Sequence, residues 1–457
     1  MRPVRPQVAA VTLMLALSAC GLRNTEKKLA REVESALTGL FLEVWYPRAV
    51  DTECGGFLST FTFDFHPTGP QDKAVITQAR HTWTTSQAAV RFPGNPVYRQ
   101  AAEHGFRFLK ERMWDSSHGG FYQKLDRCGN PEDSDYRGEK RAYGNAFGIF
   151  ACVAYYRMSG DTAALNLARR AFLWLDSKAH DAGNLGYFQN LKADGTPLRM
   201  GDTRAAGGDR ATAGLKDYNS SIHILEAFTA LYEVWPDTSL RRRLDEMFHV
   251  IRDTIVNPAG TMQLYFTPAW RPISFRDSSE SSRKAHFHLD HVSFGHDIET
   301  AFLLIEASEA LGKRGDPATL TVARRMVDHS LRTGWDPVNG GVFYEGYYFP
   351  GADTITIIND KKDWWVQAET LHVLLLMSRL FPENPIYFRY FLEEWNYIKN
   401  HIIDRKFGGW FEGGIDNHPE YGQSLKGQEW KATYHETRSM LNCLKLLDPQ
   451  YIPEIRD

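Results

Sequence analysis

Two stretches, NSSIHILEAF at 219–228 and HVSFGHDIET at 291–300, each place a histidine three residues before a glutamate at the head of an apolar helical pattern. The pairs are His223 with Glu226 and His296 with Glu299. Residues three apart share a helix face, so each acid can hold its imidazole. A histidine held this way transfers protons near neutral pH. One such pair is usually structural, but two at equivalent places favour chemistry. Three further helix heads carry related groups: Arg80 and Trp83 in ARHTWTTSQ, Trp364, Trp365 and Glu369 in KKDWWVQAE, and Trp430 and His435 in QEWKATYHETR. Indole stacks on the flat apolar face of a sugar, while charged groups hydrogen-bond its hydroxyls. The set therefore reads as acid–base chemistry on a sugar. For Trp83 and Trp364, filling a barrel core is an equal alternative.

HFHLDH, 286–291, alternates His286, His288 and Asp290, which a strand would present on one side as Zn²⁺ or Mn²⁺ ligands. No fourth ligand stands at a diagnostic spacing, and an exposed edge strand alternates in the same way. No functional metal is expected.

These groups sit at equivalent helix heads only if the chain repeats, and it does. A turn residue followed by Gly-Gly-aromatic recurs as DTECGGFLSTF at 51, DSSHGGFYQKL at 115, DAGNLGYFQNL at 181, DPVNGGVFYEG at 336 and DRKFGGWFEGG at 404, with a weaker NPAGTMQLYFTPAW at 257. Each reads as a tight turn feeding short strands. Helical apolar patterns fill the intervals, as in Asn145–Met158, Ile222–Trp235, Asp297–Ala310, Val366–Leu380 and Tyr387–Ile402. Six units of hairpin plus helix pair predict an all-α fold, an (α/α)6 barrel with short β-hairpins in the loops at one mouth. Neighbouring clear copies lie 64, 66 and 68 residues apart, which disfavours an open tetratricopeptide array.

The opening MRPVRPQVAAVTLMLALSAC has the layout of a signal peptide, and Leu17-Ser18-Ala19-Cys20 resembles a bacterial lipobox. The expected organisation is a signal peptide at 1–19, lipidated Cys20 and a tether at 20–28, and one domain at 29–457, exported to the cell envelope. An ordinary secretory signal is the alternative. Cys54 and Cys128 fall in the first two hairpin copies, where an exported protein can bridge them; Cys152 and Cys443 read as buried thiols. A net charge of -3 without a polybasic block argues against nucleic acid, and 43% hydrophobic residues supply a large core. The expected partner is a small molecule, the expected state a monomer, and contact with membrane only through the lipid anchor.

DHVSFGHDIE at 290–299, NSSIHILEA at 219–227, WWVQAE, DRKFGGWF and EWKATYH together resemble the cellobiose 2-epimerases of the N-acylglucosamine 2-epimerase superfamily, in order and over nearly the whole mature chain. The resemblance implies that His296 and His435 are the catalytic acid/base pair, with Glu299 orienting or assisting His296. It also implies that Arg80, Asn219 and His223 contact the reacting sugar and its enediolate. Trp365 and Trp430 match stacking aromatics, with Trp364 an alternative to Trp365. Tyr143, Glu226 and Glu369 complete the expected substrate-binding set. Lys140, Tyr143 and Asn145 fall on a further motif, where the family more often has Gln than Asn. Thr433 replaces a usual Pro, and Ser221 a residue that is His in some relatives. The implied reaction interconverts glucose and mannose at the reducing end of a β-1,4 disaccharide such as cellobiose, mannobiose or lactose. Inverting C2 needs one base on each face, a cis-enediolate between them, and no cofactor. An aldose-ketose isomerase acting on mannose or a related monosaccharide is the closest alternative; a glycoside hydrolase with two carboxylates and a non-catalytic sugar binder are remoter ones.

Overall fold

A computed structural model describes residues 24–131, 138–200, 202 and 212–448. The signal stretch and Cys20 lie outside the described residues. Six helices buried on nearly all sides form the inner ring: Val75–Arg91, Ala142–Ser159, Tyr218–Val234, Phe294–Ala310, Trp364–Leu380 and Tyr434–Leu447. Outer helices bury one face only and alternate with them: residues 24–37, Pro96–Phe108, Thr162–Lys178, Thr238–Val250, Pro317–Thr333 and Ile386–Tyr397. Four outer helices start at an acid or amide cap, with Asn95, Asp161, Asp237 and Asp316 accepting backbone N–H groups of the first turn. Each inner helix packs on the next, and the sixth packs on the first, which closes the predicted ring.

Short antiparallel pairs stand at the inner-helix heads. Lys73–Ala74 pairs with Lys124–Leu125, Lys140–Arg141 with Asn190–Leu191, Lys216–Asp217 with Tyr265–Phe266, and Val292–Ser293 with Glu345–Tyr347. The repeated turn ties these heads in place. Asp51, Asp115, Asp181, Asp336 and Asp404 each accept a backbone N–H two residues on. Each also pairs with a buried lysine near an inner-helix head: Lys73 (2.8 Å), Lys140 (2.7 Å), Lys216 (2.9 Å), Lys362 (2.6 Å) and Lys426 (2.6 Å). The weak fourth copy has Asn257 at the Asp position. Beyond the turn, the N–H of Phe57, Phe121, Met262 or Val342 donates to Gln78, Asn145, Asp297 or Gln367 on an inner helix. The glycines are required because the turn lies against an outer helix: Gly120 has φ of 76°, and a Cβ there would come within 2.7 Å of Trp174.

Two expectations about local structure are corrected. HFHLDH is not a strand; it ends the helix Glu280–Asp290, which Ser279 caps and a Glu280–Lys284 ion pair supports. His286 stacks on Phe275 and lies 2.7 Å from the Ser282 carbonyl, while Asp290 accepts from Ser274, Phe275 and Tyr347, so the three do not converge. The sixth inner helix starts at Tyr434, leaving Trp430 in the loop before it. Buried Lys431 pins that loop by donating to the Trp410 and Lys426 carbonyls, and the Thr433 hydroxyl pairs with that of Tyr46. Cys54, in the first turn, forms a disulfide with Cys128, just beyond the strand Lys124–Leu125, and Cys152 and Cys443 are buried and free.

Candidate active site

The inner-helix heads and their loops enclose a cavity of about 270 Å³ lined by Arg80, Tyr143, Asn219, His223, His296, Glu299, Trp364, Trp365, Trp430 and His435. Glu226 and Glu369 stand behind this wall rather than in it. His296 and His435 open onto the same space and both touch Trp365, with ring centroids 4.4 and 5.8 Å from the indole.

Nδ1 of His435 lies 2.6 Å from Oε1 of Glu369. Burial opposes ionisation of Glu369, but Arg438, His372 and His435 hold its pKa well below the ordinary value. An ionised carboxylate only accepts, so His435 donates from Nδ1 and leaves a lone pair on Nε2. Burial, aided by Arg80 and Arg438 and opposed by Glu369, pushes the His435 pKa down to about 3. The ring is therefore a neutral base at pH 7.

His296 is held differently. Its Nδ1 lies 2.7 Å from Oγ of Ser293 and 3.4 Å from the Tyr218 hydroxyl. Burial, with His223, His291 and His435 nearby, holds its pKa well below the ordinary value. The expectation that Glu299 grips His296 is corrected, because Glu299 turns to Arg438 on the facing helix, which offers it a full positive charge. The same three-residue spacing does form at His223, whose Nδ1 lies 2.9 Å from Oε2 of Glu226.

Arg438 was missed by the sequence reading, although it follows His435 by three residues on one helix face. Its guanidinium lies 2.5 Å from Glu226 and 2.7 Å from Glu369, and also contacts Glu299. Burial and the neighbouring Glu369 raise the Glu299 pKa, so the cluster need not carry three full negative charges. Donor atoms of Glu299, Glu369 and His435 lie within 4.8 Å of one another, a spacing that could hold a metal ion. Arg438 already donates into both carboxylates and supplies the cation there.

Arg80 donates to the Trp430 carbonyl and, over 3.2 Å, to the Tyr143 hydroxyl, while its Nε and Oδ1 of Asn219 are buried without a partner among the described residues. Lys140 and Asn145 are absorbed by the turns described above, leaving Tyr143 as the member of that motif on the cavity. Trp83 lies away from it, against Phe150 and Tyr434 and beside a second cavity. Tyr344, Asp363, Glu412 and Gln428 also line the site and carried no recognisable spacing. Burial, with Glu412 and Glu345 nearby, pushes Asp363 up to about 7.

The family model described as N-acylglucosamine 2-epimerase matches residues 55–438. The chain belongs to that family. It is 30% identical over 428 residues to the cellobiose 2-epimerase of Bacteroides fragilis, covering 92% of this chain and 98% of that protein. It is 24% identical over 406 residues to the D-mannose isomerase of Marinomonas mediterranea, covering 88% and 94%. The solved cellobiose 2-epimerase of Spirochaeta thermophila superposes with a TM-score of 0.76 at 29% identity, over 93% of this chain and 98% of that one. Family membership makes the chain a carbohydrate epimerase or isomerase, and the neighbouring structures share the (α/α)6 barrel.

Proposed function

We propose that this member of the family inverts C2 of the reducing-end sugar of a β-1,4-linked disaccharide, interconverting glucose and mannose in cellobiose, mannobiose or lactose. The observation that carries the proposal is two imidazoles, His296 and His435, opening onto one cavity at the same indole. After ring opening, one histidine takes the C2 proton and the electron pair moves onto the C1 oxygen as an enediolate. The other histidine, carrying a proton, returns it to the opposite face of C2. The roles exchange for the reverse direction, so the ring that accepts must be neutral and the ring that donates must be charged. The depressed pKa values keep an accepting ring available, and the growing negative charge of the enediolate favours protonation of the ring beside it. Arg80 stabilises that charge, a contribution on the order of 3 kcal/mol for a well-placed donor. Trp430, 41% exposed at the mouth, stacks the second sugar unit.

Similarity to a D-mannose isomerase favours one alternative, in which the proton returns to C1 and mannose becomes fructose. Purified protein incubated with cellobiose, mannobiose, mannose and glucose, with products identified by NMR, separates the two. Epimeric disaccharides are expected; fructose from mannose without disaccharide turnover would overturn the assignment.

Export on a lipid anchor at Cys20 and a monomeric state belong to the same proposal. The Cys54–Cys128 bridge supports an oxidising compartment. Intact-mass measurement of the membrane fraction should find Cys20 lipidated and N-terminal, and an unmodified soluble chain would contradict it.

A further inference from the structure

His372 lies three residues beyond Glu369 on the inner helix Trp364–Leu380, fully buried and outside the catalytic cavity. Its Nε2 is 2.8 Å from Oε2 of Glu369, while Oε1 of the same carboxylate takes His435 and Arg438. Glu369 therefore has both oxygens engaged by imidazoles on opposite sides. An ionised carboxylate accepts only, so His372 is the tautomer with its proton on Nε2. Asn442 of the sixth inner helix closes the other side of the ring, with Nδ2 3.4 Å from Nδ1 of His372, and Phe302 meets the ring edge-on at 4.7 Å. The proposed reaction gives this second imidazole no contact with sugar.

We infer that His372 is a positioning residue for proton transfer: its Nε2–H fixes the rotamer of Glu369 and occupies a lone pair that would otherwise strengthen the carboxylate's pull on the His435 proton. The inference rests on the proposed epimerisation and adds a determinant of how readily His435 gives its proton back. Without the donor, Oε2 of Glu369 is left buried and unpaired, and the carboxylate becomes a stronger acceptor toward Nδ1–H of His435. The imidazolium is then stabilised, so the ring holds its proton longer. Sugar contacts are untouched, which confines the effect to kcat.

The test compares wild type, His372→Ala and His372→Gln in the full chain, because the glutamine amide can place an N–H where the imidazole Nε2–H lies. Steady-state kinetics on cellobiose across pH are read beside a nitrogen-15 titration of the His435 ring. His372→Ala should lose kcat roughly tenfold to a hundredfold, the effect of one hydrogen bond to a charged group, with KM unchanged. The acid limb of kcat/KM and the His435 titration should both move to higher pH, and His372→Gln should recover most of each. Arg80, His296 and Glu299 also face His435 from other inner helices, Arg438 lies one turn along its own helix, and all four stay the same across the set. Equal loss in kcat and KM with an unshifted profile, or a glutamine variant no better than alanine, would overturn the role. If wild type epimerises nothing, the functional reading fails, and an unshifted His435 titration in His372→Ala would separately remove His372 from the account.

Discussion

Replacing Arg438 with methionine removes the guanidinium that Glu226, Glu299 and Glu369 share, while keeping most of the volume of the side chain. All three carboxylates are buried, with 5%, 0% and 0% exposure, so water cannot take over. Leaving buried charge without its partner costs roughly 3–5 kcal/mol. A chain of this length has an unfolding entropy on the order of 0.9 kcal/mol per degree, which converts the loss to a drop in Tm of about 3–6 °C at pH 7. The sign of the pH dependence is the sharper test. In the wild type, Glu226 and Glu369 are held below their unfolded pKa; their contribution is present above about pH 4.5 and is lost as pH falls through the folded values. In Arg438→Met the orphaned carboxylates are pushed upward instead, so the folded state takes up protons and the gap to wild type should narrow between pH 7 and pH 5. Differential scanning calorimetry at the two pH values reads both quantities. A variant that melts with wild type at pH 7, or a gap that widens on acidification, would refute the reasoning.

Three further outcomes follow from the same geometry. His296→Ala and His435→Ala should each abolish epimerisation while calorimetry still detects sugar binding, whereas Trp430→Ala should chiefly raise KM, by about tenfold; wild-type turnover in either histidine variant would refute the paired assignment. Cys54→Ser opens a disulfide spanning 74 residues and should cost about 4 kcal/mol by urea unfolding, so an unchanged midpoint would contradict a stabilising bridge. His81, His329 and His435 have folded pKa values pushed down to about 3, 4 and 3, chiefly by burial. Their unfolded rings bind protons first, so stability is full above about pH 6.5 and falls toward pH 4, by about 2 kcal/mol per ring at pH 5. A melting temperature flat over that interval would show that these rings are not held neutral.

The repeat of turn and helix pair made the barrel legible, since a glycine turn and a change of hydrophobic period are local signals. The groups at the helix heads were legible for the same reason, and nine of the proposed residues, Arg80, Tyr143, Asn219, His223, His296, Glu299, Trp365, Trp430 and His435, line one cavity. What spacing could not supply was the partner. The histidine–glutamate spacing forms its pair at His223, but Glu299 turns to Arg438, which lies 139 residues away and arrives by ring closure. The lysines that lock the turns lie 22 to 35 residues from their aspartates, beyond any helical or strand period. HFHLDH alternates as a strand would, yet Ser279 and Glu280 upstream had already set a helix. Trp430 belongs to a loop because Lys431 and Thr433 find partners that a helix would deny them.

The most direct test of two histidines on opposite faces of C2 is turnover in heavy water, stopped early, with deuterium located by NMR in both product and recovered substrate. The product should carry deuterium at C2 while unreacted sugar stays unlabelled, because the accepting and donating rings differ. Equal labelling of both sugars, or a product with no deuterium at C2, would contradict it.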